Sequence, residues 1–237
     1  MPRLPIVAAI LVLLVPAIAP AQKAFEGTVT YRITAGPQSA EVRLVSHGRR
    51  LRTETAIPGM PEASSVQIQD AEKKQTVTLM PSRKAYTVSK WTDTEAAARE
   101  LRTMTGASGS TARPPNITRT GQRATIAGHS CEVVVMGKAQ DVEMCIAAEP
   151  GPFLFGMEGG GFAVPAEYAG LAADFRDGAL LLRLRGKQRG QWEEQMVATA
   201  IEPGRVPDSA FDVPAGYQVI QVPSLGGLKL KLPGRKP

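Results

Sequence analysis

The 237-residue chain holds only two cysteines and two histidines. Zinc sites of the common kinds need clusters of His and Cys, and His47 and His129 stand far apart in the sequence. His47 precedes Gly48 in a turn pattern and reads as a surface residue. Ser130 lies beside His129, but neighbours on a strand point to opposite faces, and no Gly-x-Ser-x-Gly elbow is present. Glu193 and Glu194 are adjacent too, which on a strand argues against a general acid–base pair. No Gly-x-x-x-x-Gly-Lys-Ser/Thr loop occurs, and Gly159-Gly160-Gly161 reads as a connection rather than a phosphate cradle. No cofactor, metal site or catalytic residue is therefore expected, and a hydrolase is the least favoured reading.

Long apolar runs are missing except at the start. Residues 4–18 are apolar, follow Arg3, and lead into Ala19-Pro20-Ala21, a small-x-small pattern. This reads as a signal peptide over residues 1–21, cut after Ala21. As a membrane anchor it is short, since spanning takes about 20 apolar residues. The expected mature protein is exported, periplasmic and soluble. Lysine and arginine total 28 against 22 acidic residues. The excess suits an anionic membrane surface but is too diffuse for nucleic acid. Arg49-Arg50-Arg52 and Arg183-Arg185-Lys187-Arg189 read first as solvated strand faces, second as contacts to anionic lipid.

What is there is alternation with period two. Phe25, Gly27, Val29, Tyr31 and Ile33 interleave with Glu26, Thr28, Thr30 and Arg32, the signature of a half-buried strand. Further short strands are expected near 40–44, 49–55, 66–69, 76–80, 85–89, 117–120, 124–126, 132–136, 141–144, 179–185, 192–201 and 217–222, separated by turns such as His47-Gly48 and Asp177-Gly178. Two helices interrupt them. Thr92 with Glu95 forms a capping-box pattern ahead of Ala97, Leu101 and Met104. Pro165 opens a second stretch in which Tyr168, Leu171, Ala172 and Phe175 share a face. The expected fold is mainly β with minor α, a strongly curved antiparallel sheet or half-open barrel, with helical insertions over the concave face. Residues 22–222 form one domain, and 223–237 a flexible tail.

In an oxidising compartment an isolated cysteine pair bonds. Cys131 and Cys145 flank a strand–turn–strand pattern. A turn centred on Lys138 would set them opposite each other, so that a disulfide clamps the open end of a hairpin. Closing a loop of this length is worth about 3 kcal/mol. A redox pair would favour Cys-x-x-Cys spacing.

The apolar residues Phe153, Leu154, Phe155, Phe162, Tyr168, Leu171 and Phe175 cluster in one third of the chain. They read first as ordinary core and second as a lid over a hydrophobic cavity. In that second reading Phe25, Val29, Tyr31, Ile33, Phe153, Phe155, Tyr168, Leu171 and Phe175 are candidates for the cavity lining.

The opening strand Phe25-Glu26-Gly27-Thr28-Val29-Thr30-Tyr31, the stretches Gln67-Ile68-Gln69-Asp70 and Pro81-Ser82-Arg83-Lys84-Ala85-Tyr86, and Gly128-x-x-Cys131 with Cys145 form a layout. It closes on Phe211-Asp212-Val213-Pro214-Ala215-Gly216-Tyr217. This layout, over residues 25–222, resembles an uncharacterised bacterial envelope family, a domain of unknown function similar to the LolA/LolB-like lipoprotein carriers. The resemblance implies a periplasmic, half-open antiparallel barrel whose concave face holds acyl chains in the carriers. It supplies no catalytic or ligand residue. The expected function is a binding protein for a lipid or lipidated partner. The alternative is an envelope interaction or sensory scaffold with a filled core.

Overall fold

A computed structural model describes residues 25–94, 96, 117–137, 139–147 and 180–221. The strands are β1 (Gly27–Ala35), β2 (Gln38–His47), β3 (Arg50–Ala56), β4 (Ser65–Asp70), β5 (Gln75–Met80) and β6 (Ala85–Lys90). They continue as β7 (Ile117–Ile126), β8 (His129–Met136), β9 (Val142–Ala147), β10 (Leu180–Gln188), β11 (Gln191–Pro203) and β12 (Gln218–Val219). All twelve join one sheet in the order β12-β6-β5-β4-β3-β2-β1-β11-β10-β9-β8-β7. Two runs of neighbouring hairpins therefore meet where β1 pairs β11.

The alternation of β1 gives its strand, as expected, and tight turns bring β2 back. Where β1 leaves β11, Gly27 adopts φ +147°, and a Cβ there would run into the Glu202 carbonyl. Only glycine allows that close approach. Residues 117–120 and 124–126 are not two strands but the single β7, irregular between Arg119 and Arg123. The last strand is shorter than expected and runs parallel to β6, not antiparallel.

The sheet is curved and unclosed, with β12 and β7 at its edges. β11 and β7 lie four places apart, about 19 Å on a flat sheet, yet their Cα atoms approach within 8 Å. One core cluster runs along the inside of this curl and draws on β1–β3 and β7–β11. Val29, Leu180, Leu182 and Cys145 at its centre are fully buried. Helical backbone starts at Trp91, one residue ahead of the Thr92 cap, and covers 91–94 and 96. The remainder of that helix, and the helix expected from Pro165, lie outside the described residues.

The disulfide Cys131–Cys145 is formed, with Cα atoms 5.3 Å apart. Its register differs from the expectation. Val133, not Cys131, faces Cys145, and Glu132 faces Ile146. The bond is therefore diagonal. The connection is longer than a turn centred on Lys138, because β8 stops at Met136 and β9 starts at Val142.

After β11 the chain returns as a strap across the outer face of β2–β6. Val206 and Phe211 are buried there against Val45, Ile68, Val77 and Leu79. The Gly204 N–H donates to the Glu26 carbonyl (3.1 Å), and the Val206 N–H to Glu26 Oε1 (2.9 Å). Arg52 Nη1 donates to the Ala210 carbonyl at 3.0 Å. The Phe-x-Val-Pro-x-Gly-Tyr ending is thus a packing motif.

The strap covers the outer side of β4–β6, which carries Val66, Ile68, Val77, Leu79 and Tyr86. Unbroken pairing sets Thr53, Gln67, Gln69, Thr76 and Thr78 on the core-facing side. The Trp91 indole N–H donates to Thr76 Oγ1 there at 3.1 Å. A hollow side that is apolar throughout does not survive: over β4 and β5 it carries Gln67, Gln69, Thr76 and Thr78. Alternation alone gives the two faces of a strand but not which of them the rest of the chain will cover.

Candidate functional site

The histidine nearest to acidic groups is His47, at the end of β2. Its Nδ1 lies 2.8 Å from Glu26 Oε1 and its Nε2 3.6 Å from Asp208 Oδ1. It is half-buried and engaged, not a free surface residue. Arg50 pairs with Asp208 and stacks over the Phe211 ring at 4.7 Å. The Arg50 hydrogen bond and charge hold the Asp208 carboxyl below its usual range. That pairing contributes at neutral pH and is lost as acid protonates Asp208. Every partner in this group pins the strap, so we assign it a structural role. Among the described residues no group of three or more His, Cys, Asp or Glu could hold a metal.

A second charged cluster sits on β9 and β10. Arg185 Nε and Nη2 donate to the two oxygens of Glu143 at 2.8 and 2.6 Å, and Arg183 Nη2 donates to Oε1 at 3.1 Å. Glu143 is buried. Arg185 and Lys187 also lie over Trp192, at 5.6 and 5.8 Å. Arg183 and Arg185 are therefore not a solvated basic face, as expected from the sequence, because a buried carboxylate holds both.

The open concavity lies at the other side of the same strands. Cross-strand pairing lines up Ile33, Met196, Leu184, Met144 and Val134 in one row across β1, β11, β10, β9 and β8. Met144 and Val134 are buried. Ile33, Met196 and Leu184 are only partly buried. Those three floor a groove of about 690 Å³, bordered by Thr34, Gly36, Gln188, Glu193, Glu194 and Gln195. Behind the floor, Met136, Met144 and Leu181 form an apolar cluster against which Met196 and Leu184 pack. Methionine adapts its shape to irregular or varied apolar partners.

Local irregularity opens this groove. The pairing of β10 with β11 shifts between Leu184 and Arg185, leaving Gln195 as an extra residue. Its amide lies over Gly186, where a Cβ would sit 2.5 Å from Gln195 Nε2. Glu193 and Glu194 lie beyond the shift, in regular pairing with Gly186 and Arg185, so they face apart as expected, although both residues border the groove. Glu194 is paired with Arg32 at 3.1 Å.

The cavity candidates from the sequence separate. Phe25, Val29 and Tyr31 are packed core, 3%, 0% and 1% exposed. Ile33 reaches the groove. Phe153, Phe155, Tyr168, Leu171 and Phe175 lie outside the described residues. Met196 and Leu184 were not anticipated. Their only signal is apolar residues continuing past the point where alternation fails.

Tyr31 is core with a polar tip, its hydroxyl donating to the Leu181 carbonyl at 2.9 Å. Burial raises the phenol above its ordinary value near 10. At alkaline pH the folded state then holds a proton that the unfolded state has lost. Stability is intact below the unfolded pKa and falls as pH rises above about 10. Denaturation midpoints measured from pH 8 to 11.5 should drop more steeply in the wild type than in Tyr31→Phe. Equal slopes would contradict the burial of this phenol.

The model of a family described as "Domain of unknown function (DUF4412)" matches residues 25–217. No curated protein matches the chain in sequence. Among solved structures, that of PNGF-II in a C2 space group aligns with 86% of this chain and 32% of that one, with TM-score 0.39 and 10% identity. The crystal structure of MucB in complex with MucA(peri) aligns over 84% of this chain and 57% of that one, with TM-score 0.39 and 14% identity. The chain thus spans about a third of the first and just over half of the second.

Proposed function

The chain belongs to the family described as a domain of unknown function (DUF4412), and on that footing we propose that it is a periplasmic, non-catalytic binding protein for an apolar chain, acyl chains of lipids or lipoproteins above all. The observation that carries this reading is the groove on Ile33, Leu184 and Met196. Its volume falls within the roughly 300–1,000 Å³ of small-molecule sites, and it combines an apolar floor with a few polar groups. The Cys131–Cys145 bond and the apolar N-terminal run support an exported protein folding in an oxidising compartment. The single unclosed antiparallel sheet supports the likeness to LolA/LolB-like carriers.

The acyl site is the rim groove, not the middle of the curl, because side chains fill the space around Val29 and Leu182. That filling also supports a second reading, a scaffold that offers its surface to a protein partner.

Titration with the fluorescent apolar probe N-phenyl-1-naphthylamine separates the two. The wild type should bind saturably, and Met196→Glu, which sets a carboxylate on the floor, should weaken binding at least about tenfold with the circular dichroism unchanged. Absence of saturable binding to the wild type would remove the acyl reading and leave the scaffold.

A further inference from the structure

The one unmatched charge among the described residues lining the groove is negative, and we infer that the occupant is a single-chain amphiphile with an amine-bearing head group, not a carboxylate or phosphate. The inference rests on the acyl reading above. Among the described residues lining the groove, the charged groups are Glu193 and Glu194, and none is Lys, Arg or His. Glu194 is matched by Arg32. Glu193 is exposed and enters no ion pair among the described residues. Thr34, Gln188 and Gln195 complete the polar border with neutral donors and acceptors.

None of the neighbouring cations, the exposed Arg189 of the β10–β11 turn included, is among the described residues lining the groove. Arg183 and Arg185 hold Glu143, and Lys187 lies over Trp192. The formal charge of the whole chain is +6, which by itself would favour an anionic ligand. At ordinary ionic strength, however, exposed charges more than about 8–10 Å away are screened. A tail lying on Met196 leaves its head beside Glu193, and that carboxylate outweighs the distant basic surface. An ammonium is attracted there, and an anionic head is repelled.

Dodecylamine, dodecanoate and dodecyl maltoside share a tail and differ only in the head. Each is titrated below its critical micelle concentration against the probe-loaded protein at low salt. Dodecylamine should displace the probe at about tenfold lower concentration than dodecanoate, with the maltoside between them. Glu193→Gln should bring amine and carboxylate to within about threefold and leave the maltoside unchanged. Added salt should narrow the wild-type gap. Dodecanoate binding as well as or better than dodecylamine overturns the head-group inference while leaving the groove as an acyl site. A preference that survives in Glu193→Gln overturns it too. Failure of all three ligands to displace the probe, or displacement that Met196→Glu leaves intact, overturns the acyl reading itself.

Discussion

Phe211→Ala should destabilise the protein by about 3–5 kcal/mol, the range for truncating a buried phenylalanine. The ring is buried among Val45, Ile68, Val77 and Leu79, so its removal leaves a cavity on the outer face of β2–β5. Arg50 loses its ring partner in the same step. The backbone anchors at Gly204 and Val206 stay in place, so the strap should loosen around position 211 rather than detach. Urea denaturation gives the stability change, and hydrogen exchange should show lost protection centred on Ala210 and Asp212. A loss under about 1 kcal/mol would mean that the strap is not packed on the sheet. Leu79→Ala, on the opposite side of the same contact, should lose a comparable amount. The two changes together should cost less than their sum, because they share one cavity.

Glu143→Ala should cost about as much for a different reason. The carboxylate is nearly buried, its side chain 10% exposed, and holds guanidiniums whose side chains are 21% and 28% exposed. Removing one partner of such a pair leaves charge without compensation in a poorly solvated place, typically at about 3–5 kcal/mol. The penalty is sharpened at Arg183, whose Nε is already buried without a hydrogen-bond partner. Glu143→Gln keeps the shape and the acceptor oxygen and should lose less. If the instability comes from stranded charge, Glu143→Ala combined with Arg183→Leu and Arg185→Leu should recover much of it. A triple variant no more stable than Glu143→Ala would assign the loss to packing alone. Because the pair faces away from the groove, probe binding by variants that stay folded should hold near the wild-type value.

Strand identity was legible where the signal is local. From Gly27 to Lys90 the alternation and the turn residues placed β1 to β6 within a few residues, because each hairpin is decided by neighbours in the chain. The disulfide was legible as a pairing, since two cysteines allow only one bond, but its diagonal register was not. Loop length sets register, and a longer loop leaves no sharp turn signature. The groove was the least legible part. It depends on Gln195 being an extra residue and on Gly186 leaving room for that side chain. An irregularity of this kind exists only between two strands, so neither strand's sequence announces it.

By itself, then, the sequence determined that this chain builds a mainly antiparallel β structure with one cysteine pair. Period-two alternation and residue chemistry are properties of short stretches, and they carry through to any tertiary arrangement. Only the tertiary structure decided which side of each strand lies inside. The strap from Gly204 to Tyr217 covers the apolar outer side of β4–β6 and leaves Gln67 and Gln69 facing the core. Tertiary packing likewise separated Tyr31, sealed in the core, from Ile33, two residues later at the groove. Burial is a matter of what arrives from far along the chain, and no local pattern encodes where a distant segment will come to rest.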